Sequence, residues 1–381
     1  MAKFGLVLGS VLLGFLIGEA GVAWLAPQLY RRASVWQFEP ALGWSHIPGA
    51  VGRMVTPEFS VDYQINNAGF RDREYTKEKP PGTERLLVFG DSFVEGWGVE
   101  AEQTVAKRLE QRLGRQRSVE VINFGVAGYG TDQEWLYFEQ TGVQYQPDRV
   151  LVLFYGNDLW NNNAKKGIGA EKGYKPYFRP DQAGRLKLRG TPVRKTLFWD
   201  KDRMRQRPWP NRLEQYFYEH WHLFVLAHKA FTSPMPRQQQ QTFYQGLYGL
   251  NMDEGLNRVW RLSGDLLAGF NASVRQAGAE MLLVYIPSIV QIVDADWQTK
   301  RQLNGLIGEY NLLKPNQQLA AFAKTHQIPF LDLYPAFKEI PKNKDLYFSD
   351  SHWTPAGHDL AAAQIEKILR QDHKPIDGNR P

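Results

Sequence analysis

The chain has 381 residues, which admits two domains or one large α/β domain with an insertion. A composition with 43% hydrophobic and 23% charged residues excludes disordered and fibrous folds, and the absence of cysteine excludes disulfides, thiol catalysis and zinc–thiolate or iron–sulfur sites. The net charge of +6 mildly favours anionic partners or membrane surfaces, and without a Lys/Arg stripe no nucleic-acid partner is expected.

Residues 4–26 form an apolar run interrupted only by Glu19, and Pro27 ends it. About 20 apolar residues suffice to cross a bilayer as a helix. A retained signal anchor (1–27) is favoured over a cleavable signal peptide. The small residues near Ala20 and Ala23 make a weak cleavage signal, and the apolar stretch continues past them. Glu19 is costly in lipid unless it is neutral, near the interface or paired with another helix. Lys3 on one side and Arg31 and Arg32 on the other leave the orientation open. Residues 28–83 alternate in short stretches such as 59–65, turn at Asn66-Asn67-Ala68-Gly69, and end in a Lys-Pro-Pro-Gly loop. They read as a β-rich extension.

From residue 84 strands alternate with helices. Strands are predicted at 86–89, 119–124, 150–155, 281–286 and 329–334. Helices are predicted at 104–113, 131–145 (with Thr131 and Asp132 as caps), about 256–277, and 355–370. Continuously apolar strands in this alternation predict a doubly wound parallel five-stranded sheet. The connection from the third to the fourth strand is too long for one βα unit, so about 159–251 is read as an insertion. It holds a hairpin at 175–191 turning at 181–184, an aromatic helical stretch at 212–231, and a polar linker at 238–241. Tyr216, Phe217, Trp221 and Phe224 suit the core of that helix, or a lid facing a cleft or the membrane.

In parallel α/β sheets ligands bind beyond the carboxyl ends of the strands. Those ends carry Gly90-Asp91-Ser92, the turn 123–128, Gly156-Asn157-Asp158, and Asp350-Ser351-His352 before the last helix. A serine hydroxyl becomes a nucleophile when an imidazole takes its proton and a carboxylate holds the imidazole. The Ser92 and Gly128 N–H groups and the Asn157 side-chain amide suit a developing oxyanion. Asp91 is expected to order the nucleophile turn, Asp158 to cap the segment after it, and His358 to be a helix-surface or packing residue.

Four ordered blocks, GDSFVEGWG (90–98), NFGVAG (123–128), GND (156–158) and DSHWTPAGH (350–358), resemble the SGNH (GDSL-type) hydrolase superfamily. The likeness covers about 84–156 and 279–370, within a hydrolase region of 84–381. It implies a three-layer flavodoxin-like fold and ester or acyl-group chemistry, with neither metal nor cofactor. By position Ser92 matches the nucleophile and an oxyanion donor, Gly128 and Asn157 match the other donors, and Asp350 and His352 match the rest of the triad. The commoner pattern puts the acid three residues before the histidine, where this chain has Ser349. The Asp-x-His-Trp form resembles members that act on bacterial polysaccharides, including O-acetyltransferases, and the layout resembles membrane-anchored bacterial members. The expected activity is that of a serine esterase on an acylated carbohydrate, lipid or small molecule. It would sit in the bacterial inner membrane with the hydrolase region on the periplasmic or extracellular side. An O-acyltransferase of envelope polysaccharide and a non-catalytic polysaccharide-binding factor are the alternatives.

Overall fold

Five apolar segments pair into one parallel sheet in the computed structural model, which describes residues 2–28, 33–167, 173–196, 216–217, 220–231 and 237–372. Before them come two antiparallel hairpins, β1 (Trp36–Glu39) with β2 (Gly43–His46) and β3 (Val51–Val55) with β4 (Ser60–Gln64). The central strands are β5 (Glu84–Phe89), β6 (Val119–Asn123), β7 (Arg149–Phe154), β10 (Glu280–Tyr285) and β11 (Phe330–Asp332). Between β7 and β10 stands the predicted hairpin, β8 (Tyr177–Pro180) with β9 (Leu186–Arg189).

The sheet order is β6-β5-β7-β10-β11. The chain first steps from β5 to β6, then crosses back over β5 to β7. Right-handed crossovers therefore place the helix Val105–Leu113 and the helix Thr131–Gln140 on opposite faces. This is the flavodoxin-like doubly wound order, and its switch point lies between β5 and β7. Ser92 follows β5 and Asn157 follows β7, so both stand where a ligand crevice opens. The strands are continuous apolar runs because both faces are covered: Leu86, Leu87, Val121, Ile122, Val150, Leu151, Leu283 and Val284 are fully buried.

On one face the C-terminal helix Pro355–Asp372 packs on Val105–Leu113; on the other, the helix Glu254–Gln276 packs on Thr131–Gln140. The insertion is tied to the core by an ion pair between Lys175 and Asp132, both fully buried, and by a 3.1 Å bond from Lys175 Nζ to the Asn161 carbonyl. Such a pair is neutral at best against an apolar substitute, but losing one partner costs about 3–5 kcal/mol.

The structure departs from expectation at several points. Asp132 is not a cap; Gly130 is the N-cap residue, and Asp132 is spent on Lys175 and the Gln133 N–H. That helix stops at Gln140 and continues as the 3₁₀ turn Gly142–Tyr145. Strand β11 is three residues long, because Pro335 starts the short helix Tyr334–Lys338. The polar residues 238–241 lie inside the helix Arg237–Tyr248 and are not a linker, since a glutamine run is a good helix former with an outward face. Asp158 is no cap either: it is buried, and its Oδ2 accepts the Tyr155 N–H behind it at 2.8 Å. Part of the stretch 212–231 lies outside the described residues; within it the helix His222–Phe231 forms.

His358 is a buried packing residue whose Nδ1 accepts the Val105 N–H at 3.1 Å, joining the C-terminal helix to the start of Val105–Leu113. Burial, with Arg71, His352 and Arg108 nearby, pushes its imidazole down from 6.5 to about 3. Below about 6.5 the unfolded chain takes up this proton while the folded chain does not, so acidification favours unfolding throughout that interval. Thermal melting followed from pH 7 to pH 4 should show His358→Asn losing stability less steeply with acid than the parent; parallel curves would contradict a neutral buried His358.

Candidate active site

Strand β5 ends at Phe89, and after Gly90 the chain turns at once into the short helix Ser92–Glu95. Asp91 makes that turn: its Oδ1 accepts the Phe93 N–H at 2.9 Å, which presents Ser92 at the helix start. Ser92 Oγ lies 2.8 Å from His352 Nε2. His352 Nδ1 lies 3.2 Å from Asp350 Oδ2. A hydroxyl, an imidazole and a carboxylate thus stand in series, brought from the ends of β5 and of the loop after β11.

Asp350 sits two residues before the histidine, and its Oδ1 also accepts the His352 backbone N–H at 3.1 Å. That local bond turns the carboxylate obliquely, so its approach to Nδ1 is an ion-pair contact more than an aligned hydrogen bond. Ser351 between them has φ +75°, a left-handed conformation that costs a non-glycine residue on the order of 1–2 kcal/mol and folds the Asp350 and His352 side chains toward each other. Burial works against the charge of Asp350, but the His352 imidazole and backbone and the Trp97 indole hold its carboxyl below the ordinary value. Ser349, at the commoner acid position, is turned away, bonding to the Glu58 carboxylate.

The sequence reading passed over Trp97, although it lies inside the first block. Its Nε1 donates to Asp350 Oδ2 at 2.8 Å, and its ring stacks on His352 at 5.5 Å between centroids. Phe93 flanks the same imidazole at 5.2 Å.

The turn after β6 lies directly against the helix Ser92–Glu95. A Cβ on Gly125 would sit 2.2 Å from the Glu95 nitrogen, so only glycine permits this approach. Gly128, at φ +79°, stands on this turn, and neither its N–H nor that of Ser92 is bonded among the described residues. Ala127 beside it is held at both ends. Its N–H donates to Glu95 Oε2, and its carbonyl accepts from the Trp44 indole at 3.1 Å. Glu95 is fully buried and meets His46 Nε2 at 3.1 Å. Burial opposes its charge, while His46, the Ala127 N–H and Arg71 hold the carboxyl below its usual value. His46, Trp44 and Glu95 therefore fix the turn, and no sequence period marks them.

Asn157 is half-buried after β7, and its Nδ2 donates to Asp91 Oδ2 at 2.7 Å, which ties it to the turn before Ser92 and leaves the second amide hydrogen. A separate open pocket of about 710 Å³, lined among others by Trp160, Gln241, Gln245, Arg258 and Tyr310, shares no residue with this arrangement.

A family model described as GDSL-like lipase/acylhydrolase matches residues 88–360. The chain belongs to the GDSL-like lipase/acylhydrolase family. It is accordingly a hydrolase acting on ester bonds, with the three-layer α/β fold of that family. Among solved structures it is similar to the crystal structure of TesA, at 13% identity over 76% of this chain and 99% of that one, with a TM-score of 0.39. It is also similar to the lipase/acylhydrolase from Enterococcus faecalis (12% identity, 77% and 100% covered, TM-score 0.37). A third is the psychrotrophic esterase EstA from Pseudoalteromonas sp. (11% identity, 76% and 97% covered, TM-score 0.35). No curated protein matches the chain. The family match alone carries the assignment.

Trp97→Phe keeps a ring on His352 and deletes the bond to Asp350. A hydrogen bond to a charged acceptor is worth about 1.5 kcal/mol or more, so kcat for an aryl ester should fall about tenfold with KM and the melting temperature nearly unchanged. An unchanged kcat would show that the indole does not position Asp350.

Proposed function

We propose that this family member is a membrane-anchored serine esterase whose catalytic residues are Ser92, His352 and Asp350. The observation that carries the reading is the 2.8 Å contact between Ser92 Oγ and His352 Nε2. In this mechanism Oγ attacks the acyl carbonyl while Nε2 takes its proton. Asp350, beside Nδ1, stabilises the imidazolium that forms. The carbonyl oxygen, now an oxyanion, is met by the Ser92 and Gly128 N–H groups and the Asn157 amide. The tetrahedral species collapses, the C–O bond to the alcohol breaks, and the proton on His352 goes to the leaving alkoxide. Water then attacks the acyl-enzyme, giving its proton to His352, and the acid is released with Ser92 regenerated.

Phe59, Trp97 and Phe348 place half-buried aromatic faces beside the loop of His352, and Phe59 and Phe348 touch at 5.0 Å. Such faces suit a sugar ring or an acyl chain, which supports an acylated carbohydrate or lipid as substrate. The helix Ala2–Leu25 contains a 23-residue stretch long and apolar enough to cross a membrane, which supports an anchor. We place the hydrolase region on the outer side of a bacterial inner membrane, where acylated envelope components are found.

A fluorophosphonate should label one serine, and peptide mapping should find the adduct on Ser92; an adduct on another serine would overturn the site. Ser92→Ala should lower aryl acetate hydrolysis by about 10³-fold or more. Asn157→Ala should lower kcat by about 10²–10³ with folding retained, as removal of an oxyanion donor does elsewhere.

A further inference from the structure

Glu19 interrupts the apolar helix Ala2–Leu25, and the structure gives it a partner. Its Oε1 accepts the His222 N–H and its Oε2 the Leu223 N–H, each at 2.7 Å. These are first-turn groups of the helix His222–Phe231, which have no partner within that helix. A carboxylate there is favoured by the helix dipole as well. Around this contact the Phe15 and Trp221 rings meet at 5.1 Å and Leu223 packs on Gly18. The Gln28 N–H donates to His222 Nδ1 at 2.7 Å. An acid that would be costly in lipid is thus spent on joining a distant helix to the apolar one.

That second helix reads HLFVLAHKAF, with no acidic residue, and Leu226 on it is exposed. About 9 Å of helix separates Glu19 from Leu25, within the depth of about 5–10 Å at which interfacial helices bury their apolar side. The charge of the chain agrees. Although no Lys/Arg stripe is read in the sequence, residues 185–212 hold ten lysines and arginines against two aspartates, an excess larger than the +6 of the whole chain. This basic stretch leads into the joined helix, and basic residues at a membrane surface are drawn to anionic headgroups.

We propose that the helix His222–Phe231 is a second membrane-contacting element, held by Glu19 against the N-terminal helix and seated in the interfacial layer of an anionic phospholipid bilayer. The inserted region then rests on the membrane, and the N-terminal helix is a working part of the mature chain. The proposal rests on the anchor reading above but not on the triad.

The cysteine-free sequence permits single-cysteine labelling of the full chain with an environment-sensitive fluorophore. Leu12→Cys reports the N-terminal helix, Leu226→Cys the inserted helix, and Lys324→Cys the exposed side of the helix Lys314–His326, outside the inserted region. In vesicles of phosphatidylethanolamine and phosphatidylglycerol containing acyl-chain spin-labelled lipid, Leu12 and Leu226 should be quenched and Lys324 should not. Glu19→Ala should abolish quenching at Leu226 and spare it at Leu12, with Glu19→Gln intermediate and ester hydrolysis confirming folding. Quenching at Leu12 without Leu226 overturns the proposal and leaves the anchor standing; quenching at neither overturns both. Quenching at Leu226 that survives Glu19→Ala overturns the role of Glu19, and contact between labels on two copies without lipid quenching replaces the bilayer by a second chain.

Discussion

The hydrogen bond between the Ser92 hydroxyl and His352 joins positions 260 residues apart, and no local turn holds them together. Closing a loop of that length is entropically costly, so the sheet must do it. Strand β5 delivers the serine at the switch point, and the packing of Pro355–Asp372 on Val105–Leu113 returns the histidine to the same rim. His358 is one pin of that packing, six residues beyond the histidine. Whatever loosens the C-terminal helix separates the hydroxyl from the imidazole.

Around that contact the structure uses buried charge where turns alone would be loose. Glu95 is wholly enclosed, yet its carboxylate is met by His46 and by the Ala127 N–H. An enclosed charge tolerates few geometries, so it locates the turn of Gly128 more narrowly than apolar packing does. Trp97 does the same for Asp350 from the solvent side, supplying a donor to an acid whose spacing from the histidine gives it an oblique reach.

The parallel sheet was legible because strands covered on both faces are unbroken apolar runs. The residues at the rim were legible because strand ends are where a ligand can reach. Ser92, His352 and Asp350 come together in space, Asn157 bonds Asp91 beside Ser92, and Gly128 stands on the turn whose Gly125 abuts the helix of Ser92. What escaped was whatever has no period. The pairing of His46 with Glu95 joins the extension to the core and leaves no trace in either segment alone. Trp97 reads as one more aromatic until its indole is seen on a carboxylate. The glutamines at 238–241 were read by polarity as a linker, although on a half-exposed helix polarity marks only the outer face. Glu19 was noticed as a misfit in an apolar run, but its partner lies about 200 positions away and could not be inferred from spacing.

The hairpins ahead of the sheet touch the site from two directions. Glu58 and Phe59 hold the loop of Asp350 through Ser349 and Phe348, while Trp44 and His46 hold the turn of Gly128. The segment is therefore a clasp over the rim that carries Ser92, His352 and Asp350. A shortened protein beginning at residue 84 would keep every residue of the four family blocks and still lose both grips. A soluble version that preserves the rim has to begin no later than the buried Ala33 and Val35.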